Sequence, residues 1–96
     1  MQYQLRDYTV RPGEFDEFLR EWAELIVPLR RRLGFEVIGA WRGENRFVWV
    51  IGHEDVASAN AAYYASPERA ALSPDPARHL AEVRTAILES VQPPPI

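Results

Sequence analysis

Between positions 15 and 33 apolar side chains return every three or four residues: Phe15, Phe18, Leu19, Trp22, Leu25, Ile26, Leu29 and Leu33. That spacing lays one apolar stripe along a helix. Glu14, Asp16 and Glu17 fall at its start and Arg30, Arg31 and Arg32 at its end, which complements the helix dipole. Gly34 supplies the C-terminal stop. Pro28 removes a backbone donor inside the helix, so a kink there or a break near Val27 is expected. Gln2 to Val10, rich in aromatic and β-branched residues and closed by Pro12-Gly13, reads as a strand. Phe35 to Trp41 and Arg46 to Gly52 read as two more, joined through Arg42-Gly43-Glu44-Asn45. Gly43 suits the first central position of a type II′ turn, which would pair Trp41 with Arg46 and Ala40 with Phe47. A three-residue loop would shift the pairing by one and exchange the faces; the two- and four-residue forms share one set of faces and are preferred.

From Asp55 the helical rhythm resumes with Val56, Ala59, Ala62 and Tyr63, until Ser66-Pro67 ends this helix and opens a short one over Glu68 to Leu72. Ser73-Pro74-Asp75-Pro76 is a turn. The segment from Glu82 to Val91 alternates like a strand, although Ala81 to Arg84 would also extend a helix from Ala77; a helical turn followed by a strand is the reading adopted. Pro93-Pro94-Pro95 reads as an extended tail. The order βαββαβ specifies an α+β fold of the ferredoxin-like type with an antiparallel sheet, as a single domain over residues 1–96.

Two helices cover only one face of such a sheet, and the other should then be polar. Strand three does not comply: Phe47-Val48-Trp49-Val50-Ile51 is apolar on both sides. Strand two likewise puts Phe35, Val37 and Trp41 on one side and Ile38 and Ala40 on the other. An uncovered apolar face calls for a partner, and a second copy related by a two-fold axis is the simplest. The space between the two sheets would be a natural pocket.

Composition narrows the chemistry. An apolar share of 47% with net charge −3 is that of a globular protein, and the acidic balance argues against nucleic acid as a partner. The absence of cysteine removes disulfides and thiol nucleophiles and fits a cytoplasmic setting. No secretory leader and no membrane-spanning run is visible. There is no phosphate-cradling glycine loop, no Gly-x-Ser-x-Gly and no His-Glu-x-x-His. Two histidines 26 positions apart without a recognisable carboxylate spacing argue against a metal site, and no cofactor is expected. The strand order is shared with RNA-recognition domains, but the glycine and second aromatic of their strand-three signature are missing.

Arg6-Asp7-Tyr8 followed by Pro12-Gly13, the long helix ending in Leu33-Gly34-Phe35, Trp41, Asn45-Arg46-Phe47-Val48-Trp49, and Tyr64-Ala65-Ser66-Pro67-Glu68 together resemble the NIPSNAP family, over nearly the whole chain. The resemblance implies a dimeric α/β barrel in which two ferredoxin-like domains close sheet against sheet. It implies no settled reaction: relatives in that superfamily include cofactor-free quinone-forming monooxygenases, haem-degrading oxygenases and small isomerases.

In the preferred register Glu36, Ile38, Arg42, Phe47, Trp49, Ile51 and His53 share a face, and Arg6 and Tyr8 share one on strand one. This polar and aromatic set is expected to point into the cavity between the sheets of the dimer. Arg6 is a candidate to hold an anionic substrate or enolate, or else a buried ion pair with Glu36 or Glu89. Tyr8 is a candidate proton or hydrogen-bond donor, or else an amphipathic packing residue with its hydroxyl satisfied, and His53 a candidate base at the cavity mouth, or else a solvated residue at a helix start. Glu36, Trp41, Trp49 and Tyr64 are candidates to line a ligand site, the tryptophans by stacking on a flat aromatic substrate or a haem, or else by packing in the core or interface. Tyr63 and Tyr64 are adjacent, so only one can face the core. His79 is expected to be an exposed surface histidine, with haem ligation the less favoured role. Two readings result: a small-molecule enzyme of cofactor-independent monooxygenase or isomerase type acting on a hydrophobic ring-containing substrate, or a noncatalytic ligand-binding or protein-interaction module.

Overall fold

The structure, a computed structural model, describes residues 1–91; the Pro93-Pro94-Pro95 tail lies outside them. The chain runs β1 (Gln2–Val10), α1 (Phe15–Glu21), a π-helical segment (Trp22–Ile26), α2 (Val27–Arg32), β2 (Glu36–Gly43) and β3 (Arg46–His53). It continues through α3 (Val56–Ala65), α4 (Pro67–Ala70), a 3-10 turn (Pro76–His79) and β4 (Leu80–Leu88). The strands form one sheet in the order β2-β3-β1-β4, every pair antiparallel. This is the ferredoxin-like βαββαβ arrangement expected from the sequence.

The first helix is interrupted rather than simply kinked. The amide of Val27 donates to the carbonyl of Trp22, five residues back, one position farther than in an α-helix. One residue is therefore supernumerary, and the buried stripe advances by one position beyond it. Leu25, placed on the stripe by α-helical spacing, is 40% exposed, while Val27, Leu29 and Arg30 are buried. Pro28 follows at the start of α2, where its missing amide costs little. Gly34, at φ 93°, closes α2, and the Phe35 amide reaches back to the Arg30 carbonyl at 3.0 Å.

Under these helices lies an aromatic core. Gln4, Arg6, Tyr8 and Val10 of β1 and Phe47, Trp49 and Ile51 of β3 are buried on the covered face. Phe18, fully buried, meets Phe47 edge-on at 5.3 Å, and Trp22 meets Trp49 at 5.5 Å with the rings at 88°. The open face carries half-buried Leu5, Val48 and Val50, with Trp41 59% exposed. The Trp41 ring lies over Gly39, where a Cβ would stand 3.0 Å from it. Beside this apolar strip Asp7 accepts from Arg46 and Arg84, which holds its carboxyl down at about 2.

Three expectations need correction. The β2–β3 turn pairs Gly43 with Arg46, and its left-handed residue is Asn45 at φ 52°, not Gly43. The pairing moves by two positions, so the faces of residues 40–42 are unchanged. The register shifts again between Val37 and Gly39, where Ile38 is the extra residue of a bulge. Val37 then joins Ile51 on the covered face, and Glu36 falls opposite Gly52 on the open one, apart from Trp49. Finally, His79 is 2% exposed rather than a surface residue. Its Nδ1 lies 2.8 Å from Glu14 and its Nε2 3.2 Å from Glu21, which fastens the 3-10 turn to α1.

Candidate functional site

The polar and aromatic set expected between the sheets of a dimer lies instead beneath the helices of a single chain. Arg6, Tyr8 and Trp49 occupy the covered face, and on β3 the bulkier Phe47 and Trp49 fill the deeper space there. The smaller Val48 and Val50 are left on the open side. A cavity of about 90 Å³ remains between this face, the π-helical segment, α2 and the stretch from α3 to the start of β4. It has room for several waters. Tyr64 stands at its edge, 52% exposed, while its neighbour Tyr63 is buried at 2%.

Arg6 lies at the floor. Its Nε donates to the Tyr8 hydroxyl at 2.7 Å, its Nη1 to Gln4 Oε1 at 2.8 Å and its Nη2 to the Tyr64 hydroxyl at 2.7 Å. All three acceptors are neutral groups, so the expected ion pair with Glu36 or Glu89 does not form. Arg30 comes in from α2, 1% exposed, brought inward by the extra residue of the π segment. Its guanidinium carbon sits 3.6 Å from the Tyr63 ring centre and 4.7 Å from that of Phe35. Its Nη1 donates to Asn60 Oδ1 at 2.5 Å and its Nη2 to the Tyr64 hydroxyl at 3.4 Å. Neither guanidinium has a carboxylate partner among the described residues.

The charges feel this. Burial pushes Arg30 below the ordinary arginine range, and the Arg6 guanidinium adds to that push. Burial also opposes the charge on Arg6, but the phenol oxygens of Tyr8 and Tyr64 outweigh it and hold its pKa up. Burial raises the Tyr63 phenol. Arg69, a third cation of the wall, is neutralised by Asp75 at 2.8 Å. Three residues of the cavity wall carry a buried donor with no acceptor among the described residues: Arg30 Nε, Trp49 Nε1 and Arg69 Nε. The wall is therefore rich in donors and short of negative charge.

Of the residues singled out from the sequence, the structure brings Arg6, Tyr8, Trp49 and Tyr64 around one cavity. Glu36 and Trp41 sit on the opposite face of the sheet. His53 lies at the end of β3, off the cavity; its Nδ1 accepts from the Asp55 amide at 3.0 Å and its ring packs on Phe35 at 5.2 Å. His79 has both nitrogens engaged by carboxylates, which leaves it no free nitrogen for a haem iron. Glu17, Glu21 and His79 bring ligand-type atoms within 4.8 Å of one another, but Arg78 donates to both carboxylates and fills the cation position. Arg30 and Asn60 escaped the sequence reading. Arg30 belongs to a run of three arginines at a helix end, where the dipole accounts for all of them equally; only Pro28 nearby signals a change of phase.

A four-stranded sheet roofed on one side by helices, with a ring-lined cavity between the two, places the chain among the ferredoxin-like α+β proteins that include antibiotic biosynthesis monooxygenases. The sequence model of the NIPSNAP family matches residues 3–92, and the chain belongs to that family. Among solved structures it is similar to an uncharacterised NIPSNAP domain protein from Burkholderia xenovorans. The identity is 19% over 100% of both chains, with a TM-score of 0.84. An antibiotic biosynthesis monooxygenase matches at 19% identity over 96% of this chain and 100% of that one, TM-score 0.69. A mutant of MhuD, with two manganese protoporphyrin IX molecules bound per active site, matches at 20% identity over 99% of each chain, TM-score 0.65. At these identities the likeness is one of fold. No curated protein matches the sequence. No helix among the described residues is long and apolar enough to cross a membrane.

Proposed function

We propose that the cavity beneath the helices is a small-molecule site, and that the protein is an enzyme of the cofactor-independent monooxygenase or isomerase type acting on a hydrophobic, ring-containing substrate. The observation that carries this reading is the contact of Arg6 with Tyr8 inside a partly polar, ring-walled cavity. A guanidinium without a carboxylate favours the ionised form of a phenol or enol, which is the form that reacts with dioxygen or moves a proton. The Tyr8 hydroxyl accepts from Arg6 Nε, so its own hydrogen is available to a substrate oxygen. Trp49 supplies a flat wall and Tyr64 the mouth. In the oxygenase form the substrate is its own reductant. A phenol and dioxygen give a quinone and water: one oxygen atom enters the ring carbon that loses hydrogen, the other leaves as water, and the four electrons come from the ring. His53 lies too far from the cavity to act there, so Tyr8 takes the proton-handling role.

The open-face strip of exposed Trp41 with half-buried Leu5, Val48 and Val50 supports a homodimer closed sheet against sheet. The noncatalytic alternative, a ligand-binding module, is favoured by the lack of a histidine or carboxylate among the described residues that line the cavity. Oxygen uptake separates the two. Incubation with a panel of hydroxynaphthalenes should consume one dioxygen per quinone formed, and Arg6→Leu should abolish it. Saturable binding of the same compounds with neither oxygen uptake nor isomerised product would overturn the enzyme reading.

A further inference from the structure

We infer that the cavity holds a carboxylate, gripped between Arg6 and Arg30, and that the Tyr64 hydroxyl occupies the carboxylate's place when no ligand is bound. The inference rests on the cavity being the ligand site and names the class of ligand, a planar aromatic or conjugated acid.

A buried guanidinium normally spends its donors on a carboxylate or on several carbonyls. Here two of them lie in one cavity and share a single phenol oxygen, that of Tyr64, at 2.7 Å from Arg6 Nη2 and 3.4 Å from Arg30 Nη2. Arg6 is otherwise satisfied through Tyr8 and Gln4. Arg30 is not: Nη1 is committed to Asn60, Nη2 holds the long contact to Tyr64, and Nε, buried, has no acceptor among the described residues. Nε and Nη2 form one edge of the guanidinium, and that edge matches the two oxygens of a carboxylate. A carboxylate seated there would take Tyr64's place at the Nη2 pair with one oxygen and reach Arg30 Nε with the other.

The surroundings select the rest of the ligand. Tyr8, Phe18, Trp49 and Tyr63 wall the cavity, so the acid must carry a flat apolar body. A single negative charge offsets one of the two cations and costs less desolvation than a phosphate dianion would in so apolar a space. Tyr64 is the one half-exposed aromatic among the described residues of the wall, in the last turn of α3, and a swing of its ring toward solvent would open the mouth. Asn60 fixes Arg30 from one side and itself donates to Gln4 Oε1 at 3.0 Å, so the two arginines belong to one polar network.

The test uses isothermal titration of the full chain with cinnamate and with cinnamamide, which share shape and differ in charge, and with inorganic phosphate. Cinnamate should bind about tenfold or more tightly than the amide, since charge-assisted bonds replace neutral ones. Arg30→Gln should remove most of that preference. Arg30→Lys, which keeps the charge without the fork, should recover only part of it. Tyr64→Phe, which removes the competing hydroxyl and keeps the ring, should bind cinnamate more tightly than the wild type. In thermal denaturation cinnamate should raise the midpoint of the wild type and not that of Arg30→Met, and this readout holds even where Arg30→Gln expresses poorly. Equal binding of acid and amide would overturn the carboxylate and leave the cavity reading standing. Stronger binding of phosphate than of cinnamate would overturn it too. So would no heat and no thermal shift with cinnamate up to about 10 mM; the cavity reading would then be judged by the oxygen-uptake experiment alone.

Discussion

Glu21 offers a quantitative check on how the cavity is held. It sits at the end of α1 with its side chain 7% exposed and accepts from Arg78 at 2.9 and 2.8 Å, while His79 Nε2 lies 3.2 Å away. These contacts fasten the 3-10 turn, and with it Pro76 and Leu80 of the cavity wall, to the first helix. Glu21→Gln keeps the shape and removes the charge. Hydrogen bonds to charged groups contribute about 1.5–3 kcal/mol and neutral ones about 0.5–1.5 kcal/mol, so the His79 contact alone loses about 1–2 kcal/mol. Arg78, a third exposed, turns to water and adds little. For a domain of this size that loss lowers Tm by about 5–10 °C. The pH dependence is sharper still. The Arg78 guanidinium, aided by His79, holds Glu21 below the usual carboxylate range, so its stabilisation is present above the ordinary value and lost as pH falls. Burial opposes the charge on His79, but Glu14 and Glu21 outweigh it and hold its pKa up. Its stabilisation is therefore complete below the ordinary value and lost as pH rises through the raised one. The wild type should exceed the variant most between about pH 4.5 and 6.5 and by less on either side. Urea titrations followed by far-UV circular dichroism measure this without adding salt to screen the charges. A stability difference that stays flat from acid to alkaline pH would refute the reasoning.

Other consequences follow from the open face and the core. Trp41→Arg should convert a dimer to a monomer in size-exclusion chromatography with light scattering while leaving the helical signal intact, and a monomeric wild type would remove the dimer altogether. Asp7→Asn should flatten the acid limb of the stability curve, because Asp7 stabilises above its ordinary value near 3.8 and loses that contribution as pH falls to about 2; acid titration of both proteins measures it. Phe18→Ala, at a fully buried ring packed on Tyr8, Phe15 and Phe47, should cost about 3–5 kcal/mol in urea unfolding.

The strand and helix order was legible because each element carries its own period, and the adjacency of Tyr63 and Tyr64 already implied that only one could be buried. What the sequence could not decide was which face of β3 the helices would cover. Phe47-Val48-Trp49-Val50-Ile51 is apolar on both sides, and alternation alone does not break that tie; the volume required beneath the helices does. The burial of His79 leaves no local mark, because its partners Glu14 and Glu21 are remote in sequence and reach it only when the 3-10 turn docks on α1. Glu36 changed face because a bulge at Ile38 leaves no mark in hydrophobicity.

The π-helical segment bears on how relatives of this chain should be compared. Arg30 reaches the cavity through one supernumerary residue, so its inward direction is a matter of rotational phase, set upstream of it. A relative lacking that residue would present the same guanidinium from the neighbouring position, and a column-by-column alignment would score the group as lost. Conversely, a relative with arginine in the same column and an uninterrupted helix would direct it to solvent. Equivalence at this site is therefore to be sought by angle around the helix axis, with the break before Pro28 as the origin.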